Sequence, residues 1–149
     1  MIVASRDGAP AGGCTTSGLE KVRLSDSQKT CLLPLYWGET RHVSIRNTSG
    51  WVATENTDEN SPSTADVPAP TTPVSRQQRW GVDYNEVILV KLDGSQAWRL
   101  APHRSRRVDD YWHQTRVAMS REGQYLVFDS NFRLSPTASD TDVYLIKLR

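Results

Sequence analysis

The chain has 149 residues, 37% hydrophobic and 23% charged, which fits one globular domain and excludes wholesale disorder. Its net charge of +1 gives no global field to draw nucleic acid or an anionic membrane, so neither is expected as a partner. No apolar run reaches the roughly 18 residues of a membrane-spanning helix, and the start, Met1 to Gly8, lacks an apolar run of signal-peptide length.

Residues 1–18 are rich in Gly, Ala and Thr and predict an irregular N-terminal segment. Leu19–Leu24 and Lys29–Leu33 predict two strands about a Ser25–Ser27 turn, followed by a loop over Pro34–Arg41. His42–Asn47 and Trp51–Glu55 predict a hairpin with Ser49-Gly50 at its turn. Asn56–Arg79 holds four of the eight prolines among Ser, Thr, Asp and Asn, and predicts an inserted loop. Glu86–Leu92 is continuously apolar at Val87–Val90, and Asp93-Gly94 turns it into a return strand, Gln96–Leu100. Gln114–Ser120 and Tyr125–Ser130 predict another hairpin about Glu122-Gly123. A polar loop, Phe132–Thr141, precedes a last strand over Val143–Leu148. No stretch has helical periodicity, so the fold class predicted is all-β.

Cys14 and Cys31 are the only cysteines, with no Cys-x-x-Cys pair and no zinc-ligand spacing. Without an export signal they are read as free or buried thiols. A single disulfide in an exported protein is the alternative.

The strands repeat. Val22-Arg-Leu-Ser-Asp-Ser-Gln28 matches Val90-Lys-Leu-Asp-Gly-Ser-Gln96 at an offset of 68, which also lays Leu32 on Leu100 and Pro34 on Pro102. Ser44–Gly50 matches Val117–Gly123 at 73, and Glu86–Leu92 matches Asp142–Leu148 at 56. The pattern predicts a partial β-propeller over 19–149, built of antiparallel four-stranded blades. The chain holds about two and a half of them: two closing strands, one full blade, and three strands of a third. A run buried on both faces, as at Val87–Val90, suits blades stacked between neighbours.

Leu92-Asp-Gly-Ser-Gln-Ala-Trp-Arg-Leu100 and Ser120-Arg-Glu-Gly-Gln-Tyr-Leu-Val-Phe-Asp-Ser130 resemble the TolB-type (WD-like) propeller repeat, with Arg121-Glu122 in place of its usual Pro-Asp. The resemblance covers the chain from residue 19 onward apart from the insertion. It implies a C-terminal fragment of a propeller whose remaining blades come from an upstream chain or from self-association. Full-length proteins of this repeat type are often exported, and the resemblance leaves the compartment of this chain open.

Such a fold gathers the long loops Pro34–Arg41, Asn56–Arg79, His103–Trp112 and Phe132–Thr141 on one face, the usual layout of a binding site. His103, Arg104, Arg106, Tyr111, Trp112, Gln114 and Arg116, with His42, are the candidate binding residues. Guanidinium forks suit carboxylates and phosphates, and aromatic faces suit sugars or cations. The competing expectation is a solvated loop pairing with Asp109 and Asp110. His42 and Gln114 are expected to open equivalent inner strands.

That placement is similar to the oligogalacturonate lyases, propellers that hold a divalent metal with His and Gln. The similarity implies His42 at one ligand position and Gln114 and Arg116 where that family has His-Pro-His. Gln and Arg in place of two imidazoles remove most of a metal site. The leading expectation is therefore a non-catalytic segment, without metal or cofactor, that binds a protein or a carbohydrate. The alternatives are a metal-dependent lyase of acidic oligosaccharides and a truncated propeller without independent function. Gly-x-Ser-x-Gly, His-Glu-x-x-His and phosphate-binding glycine motifs are absent.

Overall fold

A computed structural model of the chain describes residues 2–6, 13–14, 18–34, 39–40, 42–45, 48–58, 85–105, 114–132 and 141–148. Among them there is no helix. Eleven strands run in order as β1 (Ile2–Arg6), β2 (Gly18–Val22), β3 (Lys29–Pro34), β4 (Glu39–Thr40), β5 (Val43–Ser44), β6 (Trp51–Asp58), β7 (Glu86–Lys91), β8 (Ala97–Pro102), β9 (Val117–Met119), β10 (Tyr125–Ser130) and β11 (Asp142–Lys147). They form three antiparallel sheets, so the all-β fold class stands. The first sheet is β1-β2-β3, the middle sheet β6-β7-β8 with β4 and β5 both against β6, and the last sheet β9-β10-β11.

Strands β6 and β7 of the middle sheet are buried on both faces, as their apolar sequence requires. On one face Val52, Ile88 and Val90 pack with Leu19, Leu32 and Leu33 of the first sheet. On the other, Trp51, Ala53, Val87 and Leu89 pack with Val117, Met119, Leu126 and Phe128 of the last sheet. Alternation along β7 thus feeds two cores with one strand. Polar contacts add to this. Lys21 Nζ donates to Leu92 O at 2.7 Å, and Met119 N–H donates to Ser44 Oγ at 2.9 Å. The turns of the middle and last sheets also touch, Thr48 N–H donating to Arg121 O at 2.9 Å. Gly123, at φ 69, lies so close that a Cβ there would sit 2.5 Å from Ser49 Cβ.

The strand registers reproduce the sequence repeat. In the first sheet Leu19 pairs with Leu33 and Glu20 with Cys31. In the middle sheet Val87 pairs with Ala101 and Ile88 with Arg99. Both ladders shift register at the same step of the repeat, so the offset of 68 carries the bulge with it. In β6 and β10, Trp51 faces Lys91 and Tyr125 faces Lys147, which keeps the offset of 56 between β7 and β11. One offset is corrected. Val43 pairs with Thr54 and Val117 with Phe128, so the inner hairpins correspond at 74. The value of 73 came from aligning the turn glycines, which occupy different places in their turns.

Other expectations are corrected by pairing that composition hides. Ile2–Arg6 lies in the segment expected to be irregular, yet it pairs along its length with β2, giving the first sheet three strands rather than two. Glu39 and Thr40, placed in a loop by sequence, pair with Asp58 and Thr57. Strand β6 therefore runs three residues into the inserted loop, and the rest of that loop lies outside the described residues. Among the described residues the inner strands β5 and β9 are shorter than predicted, and the backbone N–H groups just before them, at His42 and Arg116, go to the side chains of Glu55 and Asp129.

The cysteines are the clearest correction. Cys14 and Cys31 form a disulfide with Cα atoms 4.6 Å apart, so the free-thiol expectation fails. Cys31 and Glu20 pair across β2 and β3 on the face turned away from the middle sheet. Glu20 Oε1 accepts the Cys14 backbone N–H at 3.0 Å. Gly18 leaves the room needed, since a Cβ there would lie 2.7 Å from Cys14 Sγ.

Candidate functional site

The two ends of the stack differ in kind. Tight turns close one end, at Ser25–Ser27, Ser49-Gly50, Asp93-Gly94 and Glu122-Gly123. The long connections leave from the other, where β3, β6, β8 and β10 finish and β7, β9 and β11 begin. Buried polar side chains collect at that second end: Glu55, Asn56, His103, Ser105, Gln114, Thr115, Ser130 and Asn131.

His42 sits just before β5, between the middle and last sheets. Its Nδ1 lies 2.8 Å from Glu55 Oε1 and 2.9 Å from Thr115 O. Both neighbours are acceptors, so Nδ1 carries the proton and donates to them. The same Glu55 oxygen accepts the His42 backbone N–H at 2.8 Å. Glu55 is fully buried, and its Oε1 is met by both the ring and the backbone N–H of His42. The hydrogen bond to Glu55 raises the His42 pKa above the usual histidine value. Partial burial and the Arg116 charge oppose that rise.

Arg116 is the repeat counterpart of His42, since both precede Val43 and Val117. Its backbone N–H donates to Asp129 Oδ1, thirteen residues on, as His42 does to Glu55. Its guanidinium reaches Asp129 Oδ2 at 3.6 Å. Gln114 therefore does not occupy the position expected for it. It is buried two residues further out.

His103 lies just past the end of β8. It is fully buried, and its Nδ1 accepts the Ser105 backbone N–H at 3.0 Å. That leaves the proton on Nε2, which donates to Asn56 O at 2.9 Å. Its own carbonyl accepts Ser130 Oγ–H at 2.5 Å. The ring thus ties the end of β6 to the end of β8, and the His103 carbonyl ties both to β10 through Ser130. Arg104, next to it, is exposed, with its guanidinium 5.5 Å from the centre of the Phe132 ring. Both residues take positive φ, 53 and 44 degrees. Arg106, Tyr111 and Trp112 lie outside the described residues.

Glu55, Thr115, Asp129 and Ser130 belong to this end and escaped the sequence analysis. The signal for them is the offset of 74, which lays Glu55 on Asp129 and Asn56 on Ser130. An acid recurs where the second strand of each inner hairpin ends. Among the described residues three buried polar atoms have no hydrogen-bond partner: Asn56 Nδ2 and Oδ1, and Thr115 Oγ1. Among the described residues no group of three or more His, Cys, Asp or Glu is placed to hold a metal ion.

Comparison with protein-family models, with curated protein sequences and with solved structures returns no match.

Proposed function

We propose that the chain is a partial β-propeller, a non-catalytic binding module that takes a carbohydrate or protein ligand at its loop-bearing end. Support for the propeller architecture comes from three sheets related by constant offsets, with matching registers and a bulge at the same step. In that architecture the middle sheet is a whole blade and the outer two are three-stranded. The observation that carries binding is the buried Thr115 hydroxyl, unpartnered beside the His42–Glu55 pair, with the unpartnered Asn56 amide at the same end of the stack. Buried polar groups are normally satisfied, so donors and acceptors left open here are suited to a polar ligand. Arg104 on Phe132 adds an exposed cation over an aromatic face. The Cys14–Cys31 disulfide favours an oxidising compartment.

Titration with acidic and neutral oligosaccharides, followed by backbone amide shifts, tests this function. Shifts gathered at His42, Asn56, Arg104 and Thr115 are expected. Shifts confined to the tight-turn end would contradict it. Manganese added in a parallel titration, with ultraviolet absorbance for an unsaturated product, separates binding from lyase chemistry.

A further inference from the structure

The last sheet has one face packed on the middle sheet and one face open. On the open side lie Ala118, Val127 and Leu145 in one cross-strand row and Asp129 and Val143 in the next, with Tyr125 and Lys147 beyond. The repeat says what belongs on such a face. Tyr125, Val127, Val143 and Leu145 correspond to Trp51, Ala53, Val87 and Leu89 of the middle sheet, all buried under the last sheet. Val87 is 0% exposed and Val143 73%; Leu89 is 4% exposed and Leu145 63%. The apolar residues recur where the covering sheet does not.

We infer that a second copy of this chain docks on this face, the same face on both copies. Each chain presents four outer or inner faces of its end sheets and two of these are spent on the middle sheet. Among the described residues the far face of the first sheet carries Cys14, Glu20 and the disulfide where the last sheet carries apolar side chains. What a second copy has left to offer is its own Val127, Val143 and Leu145, which makes the contact isologous and self-limiting. A two-fold axis that sets the strands antiparallel brings Lys147 of each copy over the Asp129 end of the other, so unlike charges meet across the contact. This inference rests on the registers and stands apart from ligand binding at the loop-bearing end.

Sedimentation equilibrium of the 149-residue chain, from low micromolar to hundreds of micromolar, tests it. A monomer–dimer equilibrium is expected. Leu145→Lys and Val143→Lys each weaken it by roughly tenfold or more while far-ultraviolet circular dichroism stays unchanged. Leu24→Lys, which alters an exposed leucine in the turn between β2 and β3, leaves it intact. A monomer throughout, a ladder of larger species from head-to-tail stacking, or a dimer broken by Leu24→Lys and not by Leu145→Lys would overturn it.

Discussion

The first and last sheets are built from the same repeat and end differently. In the first, the positions matching Glu86, Ile88 and Arg99 hold Gly18, Glu20 and Cys31. A glycine, a carboxylate and a cysteine there accept the passing chain at Cys14 instead of another sheet. In the last, the positions matching Val87 and Leu89 keep Val143 and Leu145, residues fit for a core, and leave them in solvent. One end has exchanged apolar packing for a covalent cap, and the other has retained the packing surface. The difference teaches that a repeat's face is defined by its register, and that its covering is a separate matter.

The comparison can be sharpened by matched substitutions. Leu89→Ala removes a side chain buried between sheets and should cost about 2–5 kcal/mol in urea denaturation. Leu145→Ala, at the same step of the repeat, should cost less than about 0.5 kcal/mol in dilute solution. Equal losses would break the distinction between a covered face and an open one.

Reduction of Cys14–Cys31 addresses the other end. With a sequence separation of 17, the bond should contribute about 3 kcal/mol, so Cys14→Ser with Cys31→Ser should lower the urea midpoint accordingly. Only the first sheet should lose amide protection ahead of the rest. A uniform loss would mean that the cap supports the whole stack.

The smallest effect lies where the middle and last sheets meet. The folded His42 pKa is raised above its ordinary value of 6.5. The His42–Glu55 contact therefore contributes fully below about pH 6.5 and fades as pH rises through the raised folded value. Solvent access limits it to less than about 1 kcal/mol. His42→Gln should flatten the stability profile above that pH, as read by denaturation across neutral and mildly alkaline buffers. An unchanged profile would place the titration elsewhere.

Much of this fold was legible in the sequence, because strand alternation and turn glycines leave local marks. The boundaries of β10 follow directly from Tyr125–Ser130, and the two-faced burial of β7 from Val87–Val90. What was hidden is long-range. Strand β1 is followed by Asp7-Gly8, but the Gly-, Ala- and Thr-rich composition of residues 1–18 outweighed that local mark, and its pairing with β2 is long-range. The disulfide escaped because compartment, and not the geometry of β2 and β3, guided the expectation for Cys14 and Cys31. At the site, His42 and Arg116 were visible as residue types. Their acidic partners Glu55 and Asp129 were not, since the misplaced offset of 73 kept the two pairs from lining up. His103 looked like a ligand for the same reason any histidine before a loop does. Its backbone partners at Asn56 and Ser105 become apparent only in three dimensions.

Thiol labelling at repeat-equivalent positions tests the central contrast most directly. Val87→Cys and Val143→Cys, with the native disulfide left intact, are compared in dilute solution for reaction with an aromatic disulfide reagent. Cys at 143 is predicted to react in the native state at the rate of an unfolded thiol, and Cys at 87 only on unfolding. Protection of both alike, or reaction of both alike, would contradict a stack that is covered at the middle sheet and open at the last.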